Sequence, residues 1–257
     1  MRLPFLHIVL ATTLLGTSMA SQSQQVIVGV GNFEPYFIAK GRTGLFTELL
    51  DAIFAGIPNY EPVYQFDHSN NRLFQEFREG KLDAVANVFE SMDLAPCHTK
   101  SFFHFQDMAM TRAEDNLQIH SIEDIKGKSI ITFQGAREFL GKTFADQTHA
   151  GGYIEMANPG HQVRRLARGQ GEVSIGDLFV FLHNLEMVSG LSMKPEDFNY
   201  HPVIPKNATR MGFKDKALCE RFKVSLDNIE KSGQDKAIYR KYFEKYHAPK
   251  KVYELIR

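Results

Sequence analysis

Apolar positions in this chain fall into short runs divided by glycine, proline and polar breaks, and the runs alternate between two periods. Val26 to Val30 is a continuous apolar stretch, which predicts a buried strand. It ends in the aromatic loop Asn32-Phe33-Glu34-Pro35-Tyr36-Phe37, which Pro35 keeps out of a helix. Leu45, Leu49, Leu50, Ile53 and Phe54 then recur at helical spacing, so Leu45–Ala55 is an amphipathic helix closed by Gly56 and Pro58. Glu61–Phe66 reads as a strand, and Asn70–Glu79 as a helix with Leu73, Phe74 and Phe77 on one face and Gly80 as its stop. The stretch Lys81 to Arg112 opens as another buried strand, Leu82 to Phe89, and turns polar at Glu90-Ser91-Met92-Asp93. It then runs extended through Phe102 to Phe105 and Met108 to Met110. Strand and helix alternate throughout, which implies a parallel sheet with helices on its faces.

The pattern restarts beyond Arg112. Ser121 to Ile125 predicts a capped turn, Lys128–Phe133 a strand, and Arg137 to Asp146 a helix introduced by Gly135-Ala136. Tyr153–Ala157 reads as a strand, Pro159-Gly160 as a break, Gln162–Arg168 as a helix, Glu172–Ile175 as a strand and Asp177–Val188 as a helix. Phe198–Ile204 and Ala208–Phe213 are extended. Two helices, Ala217–Ser232 and Asp235–His247, close the chain. Two α/β units joined by two extended crossings predict two lobes with a cleft and a hinge, an architecture suited to closure around a ligand. The boundaries expected are 24–108 plus 208–257 for the first lobe and 109–207 for the second.

Composition adds the address. Of 257 residues, 43% are apolar and 23% charged, with zero formal net charge, an ordinary globular balance. No basic face is available for phosphates, which argues against a nucleic-acid partner. Met1-Arg2, the apolar Leu3 to Gly16 and Ser18-Met19-Ala20 have the form of a secretory signal peptide over residues 1–20. The mature chain is therefore expected to be exported, periplasmic, soluble and monomeric. Cys97 and Cys219 are the two cysteines. In an oxidising compartment they form a disulfide or remain separate thiols. The ten histidines show no H-x₃-H or HExxH spacing, so neither a metal nor a cofactor is expected.

A group of short segments carries a resemblance. They are Val28-Gly29-Val30 with Phe33-Glu34-Pro35-Tyr36-Phe37, Thr43-Gly44-Leu45-Phe46, Gly80 to Val85, Ile122 to Lys128, Gly171-Glu172-Val173 with Gly176-Asp177, and Lys231-Ser232-Gly233. In this order and spacing the chain resembles the family 3 extracellular solute-binding proteins, the amino-acid-binding periplasmic components of ABC importers. The resemblance implies an α/β, two-lobed, type II periplasmic-binding-protein-like fold with a central cleft and a two-strand hinge. It also implies a small-molecule ligand and a membrane permease or receptor as partner, with no catalysis. A soluble sensing partner of a membrane receptor, or a cyclohexadienyl-dehydratase-like enzyme, would use the same fold.

Residue by residue, the resemblance makes Phe33 a stacking platform with Tyr36 beside it, puts Glu90 on the cleft wall and pairs Asp177 with a ligand ammonium. Asn70 and Gln134 join the wall by alignment alone. The chain departs from the family where an Arg should grip the ligand carboxylate, because there is no Arg between Arg78 and Arg112. Arg137 sits in the first turn of a predicted helix, where a cation opposes the helix dipole, and is the expected substitute at the helix-start N–H groups. Each residue also has a plainer reading. Asp177 is a good helix cap, Arg137 a surface cation, and Phe33 and Tyr36 ordinary core aromatics. Glu90 has Arg137 or Lys100 as candidate partners within the protein. Glu34, Glu90 and Asp177 around one cleft would suit a ligand that carries amines.

Overall fold

The computed structural model describes residues 23–149 and 151–254, so the signal-peptide expectation over residues 1–20 lies outside the described residues. The chain forms two sheets in succession. Strand β1 (Gln24–Gly31) is followed by helix α1 (Leu45–Ala55), β2 (Tyr60–His68), α2 (Asn70–Arg78), β3 (Ala84–Phe89), β4 (Cys97–His98) and β5 (Phe103–Phe105). The chain then crosses at Gln106 into β6 (Asp107–Arg112), β7 (Ile130–Phe133), α3 (Ala136–Phe139), α4 (Gly141–Gln147), β8 (Tyr153–Met156), α5 (Pro159–Ala167), β9 (Val173–Asp177), α6 (Leu178–Met187) and β10 (Phe198–His201). It returns through residues 202–206 to β11 (Asn207–Phe213) and ends in α7 (Lys216–Ser232), α8 (Gln234–Lys245) and α9 (Lys250–Tyr253). The first sheet has the order β2-β1-β3-β11-β4, with β5 also on β11. The second has the order β10-β6-β9-β7-β8. Each sheet is parallel over three strands and antiparallel where the crossing strands join.

The elements follow from local chemistry. Ala84 to Val88 are buried on both faces because β3 lies between β1 and β11 under helices on either side. Helix α2 starts where the Ser69 hydroxyl accepts the Arg72 N–H, and it buries Leu73, Phe74 and Phe77. Helix α7 starts at Asp215, whose carboxylate accepts the Ala217 and Leu218 N–H groups, and stops at left-handed Gly233. The start of α1 has no side-chain cap. Instead the carbonyls of Pro35 and Tyr36 accept the N–H groups of Leu45 and Phe46, so the aromatic loop supplies the acceptors the helix end needs. Gly44 makes that approach possible: its φ is +130°, and a Cβ there would lie 2.3 Å from the Tyr36 carbonyl oxygen.

Beyond shifts of a few residues at other ends, three features differ from the sequence reading. The helix expected over 137–146 is two helices, split at Gly141 with φ +80°. Helix α5 begins at Pro159 rather than Gln162, because Asn158 caps it and proline is favourable in a first turn. The closing turn α9 was not anticipated.

Cys97 and Cys219 form a disulfide that ties β4 to α7 across 122 residues of chain. Among the described residues, the one cluster of His, Cys, Asp and Glu atoms at metal-ligand spacing is these two sulfurs with Glu220, and the sulfurs are bonded to each other. No helix among the described residues is long and apolar enough to cross a membrane.

Cross-linking so long a loop restricts the unfolded chain, and such bridges contribute roughly 2–5 kcal/mol. Reduction, or the Cys97→Ser/Cys219→Ser pair, should lower Tm by roughly 5–15 °C at this size. Differential scanning calorimetry with and without reductant checks this.

Candidate functional site

A cavity of about 460 Å³ opens between the two sheets, at the ends of β1, β3 and β9. Crevices of this kind lie off the carboxyl ends of strands in open α/β sheets. The first sheet contributes Gly31 to Phe33 from the aromatic loop, Ser69 and Asn70 from the start of α2, Asn87 and Phe89 from β3, and Thr209 from β11. The second contributes Asp107 and Met110 from β6, Phe133 and Gln134 after β7, Phe139 from α3, Met156, Pro159 and Gln162 around α5, and Gly176 and Asp177 from β9. Phe105 comes from the crossing.

Aromatic rings frame the opening. Phe33 stacks parallel to Tyr36, with centroids 5.7 Å apart, and meets Phe105 edge-on at 5.8 Å. From the opposite side, Phe139 lies edge-on to Phe89 at 6.3 Å and to Phe133 at 5.7 Å. Phe33 and Phe139 keep 41% and 47% of their surface exposed, an unusual level for phenylalanine and one that leaves two faces free for a ligand.

Asp177 lies at the floor. One carboxylate oxygen accepts the Tyr36 hydroxyl at 2.6 Å and the Gln106 N–H at 2.8 Å, and the other accepts the Val180 N–H at 3.0 Å. It is thus the cap of α6 and also the tie between the first loop, the crossing strand and the second sheet. Tyr36 is fully buried, its ring packs on Phe46 and Phe105, and it does not line the cavity; its hydroxyl donates to Asp177.

Asp107 is the register partner of Asp177 across β6 and β9, so both side chains share one face of the sheet. The Asp107 carboxyl is buried and has one long contact, from the Asn207 amide at 3.4 Å. Burial first, and the Asp177 charge second, push its pKa up to about 7, against the opposing Asn207 hydrogen bond. Burial also raises the pKa of Asp177, opposed by its hydrogen bonds. Two further polar groups of lining residues are buried and unpaired: the Asn87 side-chain oxygen, on a left-handed backbone with φ 60°, and the Thr209 hydroxyl.

The structure brings Phe33, Asn70, Gln134 and Asp177 together on the cavity wall, but not Glu90 or Arg137. Glu90 is exposed, and its carboxylate accepts the Ser101 hydroxyl at 2.7 Å. Neither of its expected cations reaches it, since Lys100 turns to Asp227 and Glu230. Glu34 points to His183 at 3.3 Å. Arg137 reaches the far end of α4. There its guanidinium donates to the Thr148 hydroxyl and carbonyl and lies 3.8 Å over the Tyr153 ring. The misfit at its own helix start is resolved by the carbonyl end of the next helix and an aromatic face. The helix-start N–H groups of Gly135 and Arg137 are taken by the Glu155 carboxylate, whose pKa is lowered by the Tyr153 hydroxyl first and by those N–H groups after it.

Asp107, Asn87, Thr209 and Phe139 were missed by sequence reasoning. A signal existed for one of them, since Asp107 is a lone charge opening the apolar run Met108-Ala109-Met110.

No family model matches the chain. Over 118 residues it is 31% identical to the L-cystine-binding protein TcyJ of Bacillus subtilis (strain 168), an alignment covering 43% of this chain and 43% of that one. The chain thus spans less than half the length of the curated relative it matches. A probable amino-acid ABC transporter extracellular-binding protein, ytmK from Bacillus subtilis, superposes with TM-score 0.68 at 19% identity, over 86% of this chain and 98% of that one. The GluR0 ligand-binding core in complex with L-glutamate gives TM-score 0.63 at 16% identity, over 86% and 98%. The chain is similar to family 3 solute-binding proteins and has the two-lobed periplasmic-binding-protein-like fold.

In the unfolded chain Asp107 has an ordinary carboxyl near 3.8, and in the fold it keeps its proton to about 7. Its contribution to stability is full below about 3.8 and is lost as pH rises through about 7. The loss is on the order of 4 kcal/mol, at about 1.4 kcal/mol per pKa unit. Asp107→Asn should therefore melt roughly 8–16 °C above the parent at pH 8 and match it at pH 4. Melting curves of both proteins across pH 4–8 check this.

Proposed function

We propose that the chain is an exported binding protein that captures a small amine-bearing ligand, an amino acid or a relative of one, and delivers it to an ABC permease. The observation that carries this reading is the cavity between the sheets with a buried carboxylate at its floor and free aromatic faces at its mouth. A site of this kind buries most of a small ligand and orients it through few polar groups. The partial relative named for L-cystine binding supports a ligand of amino-acid type. Phe33, Asn70 and Gln134 form the wall in this reading, Asp177 takes the ammonium, and Tyr36 holds Asp177 in place.

Closure follows from the connectivity. The strands within residues 24–105, together with the strand of residues 207–213, make one sheet and the strands within residues 107–201 the other, joined at Gln106 and through residues 202–206. Ligand bound between them draws the two together. The enzymatic alternative, a dehydratase acting on an anionic prephenate-like acid, fits less well. Such a substrate would meet two carboxylates, and among the described residues no lysine, arginine or histidine lines the cavity.

A thermal-shift screen against amino acids, polyamines and small organic acids is the direct test. A ligand at a hundred times its Kd stabilises the fold by about 2.7 kcal/mol, which raises Tm by roughly 5–10 °C. No shift with any amine-bearing compound would sink the reading. For the ligand found, Asp177→Asn should weaken affinity by about tenfold or more, the loss of one charge-assisted contact. Arg137→Ala should leave it within about twofold, because its partners Thr148 and Tyr153 lie outside the cavity. Isothermal titration calorimetry separates these outcomes.

A further inference from the structure

We infer that the cavity selects primary amines that lack a carboxylate, with Asp107 acting beside Asp177 as a second acceptor for the ammonium. The inference rests on the capture reading above and narrows its ligand class. Its first support is the charge of the wall. The two ionisable side chains that line the cavity are both acids, Asp107 and Asp177, and they face the same space from adjacent strands. A zwitterionic amino acid would bring its own carboxylate into that enclosed field without a matching cation, at the cost of desolvating an unpaired charge.

The second support is the fate of the groups that could bind an anion. Arg137 and the helix-start N–H groups of Gly135 and Arg137 stand together after β7. The guanidinium is committed to Thr148 and Tyr153, and the N–H groups to Glu155. The donors after β7 that could bind an anion are thus already held by protein groups. The third support is Asp107 itself. It lines the cavity, is 8% exposed and holds one long hydrogen bond, so most of its acceptor capacity is unused. Asp177 has three donors already and retains little spare capacity. An ammonium group carries three donors, which the two carboxylates can receive between them. The exposed faces of Phe33 and Phe139 suit the apolar body of such a ligand.

The test uses matched pairs differing in the carboxylate: phenethylamine against phenylalanine, cadaverine against lysine, and cystamine against cystine. Binding to the purified chain is measured by isothermal titration calorimetry. In every pair that binds, the amine should bind about tenfold or more tighter than its amino acid. An amino acid that binds as tightly as its amine, or tighter, overturns this inference and leaves the capture reading standing. Absence of binding by all six compounds, and by every compound of the thermal-shift screen, overturns both. Asp107→Asn should weaken binding of the best amine by about tenfold or more while the protein remains folded by melting analysis. An affinity within about twofold of the parent overturns the role given to Asp107.

Discussion

The buried Asp177 carboxylate is the interaction on which the rest of the site depends. A charge taken out of water is costly unless it is matched by donors. Here the donors come from three parts of the chain: the Tyr36 hydroxyl, the Gln106 N–H and the Val180 N–H. Meeting that requirement fixes where the first loop lies, how the chain crosses between sheets and where α6 begins. Tyr36 can reach the carboxylate because its own carbonyl and that of Pro35 are held by the start of α1. The path runs from a glycine in an unusual conformation, through a helix end, to the floor of the cavity.

Charge is distributed unevenly across the second sheet, whose register places Asp107, Asp177, Tyr153 and Glu155 on one face but on strands at different distances from the cavity. Toward the cavity it presents Asp107 and Asp177 as neighbours, and each raises the cost of ionising the other. Away from it, Arg137, Tyr153 and Glu155 satisfy one another and the helix-start N–H groups. The fold occurs in a ligand-binding core in complex with L-glutamate, and in this chain the Arg137 guanidinium and the helix-start N–H groups after β7 are held by the protein's own groups. Fold supplies the crevice, and local chemistry decides what enters it.

The closing helices serve the same arrangement from behind. Helix α7 is bonded through Cys219 to β4. Helix α8 carries Phe243, which packs 4.7 Å from Phe179 at the start of α6, and Tyr239, whose hydroxyl accepts the His104 N–H in β5, just before the crossing. Both contacts lie close to the chain crossing, where a change in the angle between the sheets would be absorbed.

Local signals were enough for the elements. Helix α1 matches its expected span because its apolar spacing and the glycine after it act within a few residues. The two-sheet fold was legible in the alternation of strand and helix, and the chain's likeness to known structures bears it out. Errors arose where one residue admitted two local readings. Pro159 opened a helix instead of breaking the chain, and Gly141 divided a helix that its neighbours would have continued. The site was less legible. Phe33, Asn70, Gln134 and Asp177 line the cavity, since loops after strands converge on one edge of a sheet whatever their side chains do. Glu90, Tyr36 and Arg137 lie in those same loops or helix starts and point elsewhere. Their directions are set by Ser101, Asp177 and Thr148, which are distant enough in sequence that no local period relates them. Asp107 became visible only when β6 paired with β9 and placed it opposite Asp177. Sequence by itself determined the elements and the edge where they meet, because propensity and periodicity act over a few residues. Tertiary structure alone decided which side chains face the cavity, because burial and hydrogen-bond satisfaction are properties of the assembled fold.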